Sequence, residues 1–166
     1  MILETCAGTL TQGLIYAILS YGIFITYKIL DFPDLTVDGS FTLGAAVAVV
    51  ATLAGHPVLG LLLAALAGAA AGFVTALLQT RMKIQPILAG IITMTALYSI
   101  NLQIAGSNLP IERSTDTIFN AAPTMALFGS LTLMQRKLAV SLILAVIVKV
   151  LLDLYFKTRS GLLLRA

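Results

Sequence analysis

Apolar residues gather into five long runs, separated by breaks carrying proline, glycine or charge, and this pattern predicts membrane-crossing helices. About 20 residues of helix are needed to cross roughly 30 Å of hydrocarbon. The first run extends from about Gly13 to Ile29 and is closed by Lys28, Asp31 and Pro33, because a proline biases the residue before it, Phe32, away from helix. The second starts after Asp38-Gly39-Ser40 and ends near Gly55, which is short for a full crossing. The third covers about Val58 to Leu78 and stops at Arg81 and Lys83. The fourth starts after Pro86 and reaches about Ala105, where Gly106, Ser107, Asn108 and Pro110 interrupt it. The fifth is Leu138 to Phe156. Residues 106–137 form the most polar stretch, although Thr124 to Met134 is apolar enough to dip into the interface or pack over the bundle. With no internal repeat or low-complexity linker, the expected fold class is all-α, a polytopic membrane helical bundle. It has about five transmembrane helices with a short, broken second helix, in a single transmembrane domain over residues 1–166.

Composition agrees with this reading. Apolar types make up 59% of the 166 residues and charged types 10%, with mean hydropathy +1.02, against about 25% charge in an ordinary soluble domain. A water-soluble fold is excluded. The net charge of +3 arises from 10 Lys and Arg against 7 Asp and Glu. No basic run interleaves with aromatics, so the excess is assigned to topology and not to nucleic acid. With the N-terminus outside, Lys28, Arg81, Lys83, Lys157, Arg159 and Arg165 are cytoplasmic and Arg113, Arg136 and Lys137 fall opposite, the arrangement the positive-inside tendency favours. The first twelve residues hold only Glu4 as a charged side chain, so the first run is expected to be a mature span and not a signal peptide. Cys6 cannot form an internal disulfide and His56, preceding Pro57, is expected in a turn at the outer surface.

The segment from Asp31 to Ser40 places Asp31, Asp34 and Asp38 between two apolar runs, in backbone that Pro33 and Gly39 keep from being one helix. Two readings stand: a cytoplasmic loop with solvated acids and an N-cap, or a pathway-lining break of the kind tolerated at membrane depth only when buried in protein or lining a wet cavity. If the second helix begins partway through the bilayer, Asp38 or Ser40 is positioned to cap it. The spacing of the acids does not match a calcium loop, and no metal site is expected. In the third run Ala64, Gly68, Gly72 and Ala76 recur every four residues, the expected helix-packing seam. Tyr16, Ser20 and Tyr27 share one face of the first run, and Gly90, Met94, Tyr98 and Asn101 one face of the fourth. Because polar groups are costly against lipid, both faces are expected to turn into the bundle. Lys149 and Asp153 are read as anchors near the end of the last span. The sequence has no phosphate-binding glycine loop, His-Glu-x-x-His motif or nucleophile with a neighbouring base, so no catalytic residue and no cofactor is expected, and any ATP hydrolysis must occur elsewhere.

The segments Tyr16 to Ile23, Leu35 to Ala48 and Gly90 to Leu102 resemble the permease subunit of bacterial ABC importers, in the branch related to branched-chain amino acid and ribose permeases, particularly its tryptophan- and tyrosine-type amino-acid group. The most specific pieces are Leu35 to Ala48 and Thr158 to Ala166. The resemblance implies a non-enzymatic subunit of the bacterial plasma (inner) membrane. It would work with a second permease subunit, cytoplasmic ATP-binding subunits and an external solute-binding lipoprotein. It also implies that the segment from Asp38 to Gly44 enters the second helix beside the translocation pathway, which favours the pathway reading of the break. Asp38, Ser40, Thr42, Tyr98 and Asn101 are then the candidate lining residues for a small polar solute, an amino acid being the expected class. Members of that family are nearly twice this length, with a coupling helix following the piece that matches Gly161 to Arg165, so the chain is expected to represent the N-terminal portion. The alternatives are a vitamin-uptake-type subunit that captures its ligand directly, and a membrane assembly protein that only binds other helices.

Overall fold

A computed structural model describes residues 2–29, 31, 34–106, 115–129, 131–159 and 161. Its helices are α1 (Ile2–Phe24), continued by a π-helical segment (Ile25–Ile29), α2 (Thr36–Leu53), α3 (Pro57–Thr80), α4 (Pro86–Ala105), the short α5 (Ala122–Phe128) and α6 (Leu133–Lys157). No strand occurs among the described residues. Five segments are long and apolar enough to cross a membrane: Thr5–Lys28, Thr36–Leu53, Pro57–Thr80, Pro86–Ala105 and Leu133–Lys157. The fold is an all-α polytopic membrane bundle.

Local chemistry explains most boundaries. Pro57 and Pro86 sit in the first turns of α3 and α4, where a missing N–H costs nothing and the fixed φ suits a helix. The end of α2 is a Schellman turn. The Gly55 N–H donates to Thr52 O at 3.0 Å and the His56 N–H to Ala51 O at 3.0 Å, with Gly55 at φ +84°, a conformation that side chains with a Cβ resist. His56 is exposed in that turn. At α6, Gln135 Oε1 accepts the Thr132 N–H at 3.3 Å in a capping box, which starts the helix five residues before the expected Leu138. The segment expected to lie over the bundle becomes α5 and the head of α6.

Two boundaries shift the functional picture. α1 includes Thr5, Thr9 and Thr11, polar residues excluded from the expected first span. Thr9 and Thr11 donate their hydroxyls to Thr5 O and Ala7 O one turn back, so neither interrupts the helix. α2 starts at Thr36 and runs unbroken to Leu53, so the interruption lies ahead of Leu35. Phe32 and Pro33, which the expected break invoked, lie outside the described residues, as do Ser107, Asn108, Pro110, Arg113 and most of the Thr158 to Ala166 piece. At 18 residues α2 is the shortest of the five spans, about 27 Å at about 1.5 Å per residue.

The chain forms two compact units, one from Met1–Asp31 with Ala122–Ala166, the other from Phe32–Ala121. In the first, α1 packs along α6, with Gly8 beside Met134, and the less exposed line of α1 runs through Thr11, Leu14, Ile18 and Ile25. Tyr16, Ser20 and Tyr27, expected to face the bundle, lie off that line and are exposed; Ser20 donates to Tyr16 O at 2.9 Å, which satisfies its hydroxyl without a second helix. In the second unit α2 packs on α3 and α4, and α3 also meets α4. Its apolar core is Leu43, Ala71 and Leu97, flanked by Val47, Ala67 and Ile104.

Candidate functional site

The second unit holds every residue singled out as pathway-lining, and its helices come together through small and hydroxyl-bearing residues. α2 lies close against α4: a Cβ built on Gly39 would stand 3.3 Å from Met94 Cα and 3.2 Å from the Leu97 side chain, and one on Gly90 would stand 3.1 Å from Leu35 N. A Cβ built on Gly60 of α3 would likewise stand 3.1 Å from Ala48 O of α2. In lipid such proximity replaces the hydrophobic drive that holds soluble helices together.

The four-residue repeat of α3 follows this contact line only at its start. Ala64 is half-buried and touches Gly44, but Gly68 and Gly72 have no atom within 4 Å of a would-be Cβ, and Gly72 and Ala76 are exposed. A strict four-residue spacing advances about 400° per step, drifting about 40° around the helix each time. The face that contacts α2 and α4 instead runs Gly60, Ala64, Ala67, Ala71, Thr75, mixing steps of three and four.

At the head of α2 the three acids separate in role. Asp34 Oδ1 accepts the Thr36 N–H at 2.8 Å in an Asx-type turn, and the N-cap position is Leu35, without a side-chain cap, so neither Asp38 nor Ser40 caps the helix as expected. Asp31 is exposed at φ +55°. Asp38 falls in the first turn and is exposed, its negative charge well placed against the helix dipole. Ser40 is half-buried and donates to Val37 O at 3.0 Å; two residues on from Asp38, it is turned about 200° away from it.

Thr42 and Asn101 are brought together. Asn101 Nδ2 donates to Thr42 Oγ1 at 2.7 Å, and the Thr42 hydroxyl in turn donates to Gly39 O at 2.9 Å. Asn101 Oδ1 is buried and accepts no hydrogen bond. Tyr98, one turn before Asn101, is 65% exposed. The expected stripe on α4 is therefore split: Gly90 turns into the bundle, Asn101 bonds across to α2, and Met94 and Tyr98 stay at the surface, while the buried line is Ala89, Gly90, Thr93 and Leu97. Asp38, Phe41, Thr42 and Ala45 make one exposed face of α2, to which Asn101 is joined. No cluster of three or more His, Cys, Asp or Glu able to hold a metal occurs among the described residues.

A buried hydroxyl chain was missed entirely from the sequence. Thr36, Thr75 and Thr93, from α2, α3 and α4, are 2%, 3% and 4% exposed. Thr36 Oγ1 lies 2.9 Å from Thr75 Oγ1, which lies 3.1 Å from Thr93 Oγ1. The outer two are 57 residues apart in sequence, and only the helix register brings the three together.

In the first unit Arg136, near the head of α6, is 7% exposed; its guanidinium donates to Met125 Sδ of α5 at 2.7 Å and to Leu131 O at 3.1 Å. It serves packing, although its sequence position suggested a loop charge.

The fold and the site define a multi-pass membrane protein whose second and fourth spans are joined by a polar contact, Thr42 to Asn101. The chain belongs to the family described as branched-chain amino acid transport system permease component, which matches residues 5–166. It is 42% identical over 156 residues to a tyrosine transport system permease protein of Clostridioides difficile, covering 93% of this chain and 48% of that protein. It is also 41% identical over 95 residues to an uncharacterised protein of Rickettsia prowazekii, covering 57% of this chain and 34% of that protein. The chain thus spans about half the length of the first of these relatives and about a third of the second. No solved structure matches it.

Proposed function

We propose that this multi-pass membrane permease forms part of the translocation pathway of an ABC-type importer for an amino acid, in the bacterial inner membrane. The observation that carries the reading is family membership over residues 5–166 combined with the polar face on which Thr42 and Asn101 are hydrogen-bonded. A tyrosine transport permease among the relatives favours an aromatic amino acid as cargo. Asp38, Thr42, Tyr98 and Asn101 are the lining residues, with Ser40 behind them on the same turn of α2. An exposed carboxylate and phenol on membrane helices are costly against hydrocarbon, so a face carrying both is better suited to a wet route or another subunit. Domain organisation follows the same reading: residues 1–166 are one transmembrane domain making up the N-terminal portion of a longer permease fold.

The subunit carries out no chemistry and holds no cofactor. ATP-binding subunits on the cytoplasmic side drive the rocking of two permease subunits, and an external solute-binding lipoprotein delivers the cargo. The N-terminus lies outside, which gathers Lys28, Arg81 and Lys83 on the cytoplasmic side by helix parity.

Uptake of labelled tyrosine and leucine into membrane vesicles carrying the complete transporter tests the reading. Asp38→Ala should cut uptake several-fold at an unchanged amount of the chain in the membrane. Unchanged uptake would remove Asp38 from the pathway, and uptake of neither amino acid by the parent transporter would overturn the cargo class.

A further inference from the structure

We propose that Thr75 is a positioning residue for the translocation face, holding the first turn of α2 in place from α3. The inference rests on the reading of the Asp38 face given above. Its basis is the difference among the three buried hydroxyls. Thr93 donates to Ala89 O at 3.0 Å and Thr75 to Ala71 O at 3.2 Å, the same one-turn return that satisfies Thr9, Thr11, Thr52, Thr80 and Thr95 within their own helices. Neither needs a second helix. Thr36 is the first residue of α2, so no carbonyl of its own helix lies behind it, and among the described residues its hydroxyl is bonded only to Thr75. At 2% exposure that hydroxyl would otherwise be buried unsatisfied, a costly state in a medium without water.

The link therefore fixes where α2 begins. Two residues on stands Asp38, and one further turn on stands Thr42 with its bond to Asn101. Glycine contacts leave this turn little slack, since Gly90 sits against Leu35 and Gly39 against Leu97. Thr75 is buried behind the exposed face; it acts on the face through Thr36, and Thr93 seats it from α4.

Uptake kinetics of the complete transporter separate this role from bulk stability. Thr75→Val, which keeps the shape and deletes the hydroxyl, should raise the half-saturating solute concentration several-fold while the chain reaches the membrane in normal amount. Thr75→Ser should restore it. Thr36→Val should act in the same direction but no more strongly, since it leaves no hydroxyl buried without a partner, and the double variant should be no worse than Thr75→Val alone, because both remove the same bond. An unchanged half-saturating concentration in Thr75→Val, or additive effects in the double variant, would overturn the inference. Should Thr75→Val fail to accumulate, Thr36→Val with the serine rescue gives the same decision. If Asp38→Ala impairs uptake and the threonine variants do not, the positioning role alone falls. If Asp38→Ala is silent while the threonine variants act on half-saturation, the assignment of the face falls and the threonine link stands.

Discussion

The two compact units of this chain solve one physical problem differently. In the unit of α2, α3 and α4, helices meet where Gly39, Gly60 and Gly90 let backbones approach and where three buried threonines exchange hydrogen bonds. In the unit of α1, α5 and α6, the long helices α1 and α6 pack along each other, and among the described residues Arg136 bonds across the α5–α6 corner. Apolar surface gains nothing by leaving lipid for another helix, so close contact and hydrogen bonds decide which helices stay together. The glycine- and threonine-bonded unit is accordingly the one able to hold side chains in fixed relation, and it carries the candidate pathway residues.

The strongest way to break the comparison is Gly90→Leu. With Leu35 N 3.1 Å from the position of a Cβ, α2 must lift off α4, and an overpacking cost of about 3 kcal/mol is expected. Thermal unfolding in detergent should fall, and cysteine accessibility should rise at α2 and α4 while remaining unchanged at α1 and α6. The converse variant, Arg136→Ala, removes the charge-assisted hydrogen bonds to Met125 and Leu131 and should cost about 2 kcal/mol, loosening α5 from the head of α6 without altering accessibility at α2. Gly55→Ala comes next, at about 1 kcal/mol, because its φ of +84° disfavours any Cβ at the end of α2. Gly72→Ala on the open face of α3 should leave the isolated chain as stable or slightly more so, since nothing lies within 4 Å and alanine is the better helix former. A large loss there would show that α3 packs through the four-residue stripe after all.

The five spans were legible because hydropathy needs no knowledge of neighbours. α4 was read almost to the residue, since Pro86 opens it and Gly106 follows its last turn. The early start of α1 was hidden by Thr5, Thr9 and Thr11, whose polarity suggested an end region although threonine hydroxyls return to their own helix. The head of α6 was readable in principle, because Thr132-Leu-Met-Gln135 is a capping-box spacing. The pairing of Thr42 with Asn101 and the Thr36–Thr75–Thr93 chain had no local signal. They depend on how three helices rotate against one another, which the contact line through Gly60, Ala67 and Ala71 sets. The regular stripe on α3 misled for the same reason: its periodicity was real, but it is not the period of the contact.

The most direct test of the central claim, that the Asp38–Thr42 face of α2 opens onto a route for solute, is thiol labelling in the assembled transporter with Cys6 replaced by serine. Cysteines at Ala45 and Tyr98 should react with a membrane-impermeant maleimide and be slowed by the transported amino acid, while one at Leu66, exposed on α3, should remain unreactive in lipid. Equal silence at all three positions, or labelling at Ala45 and Tyr98 indifferent to the amino acid, would contradict it.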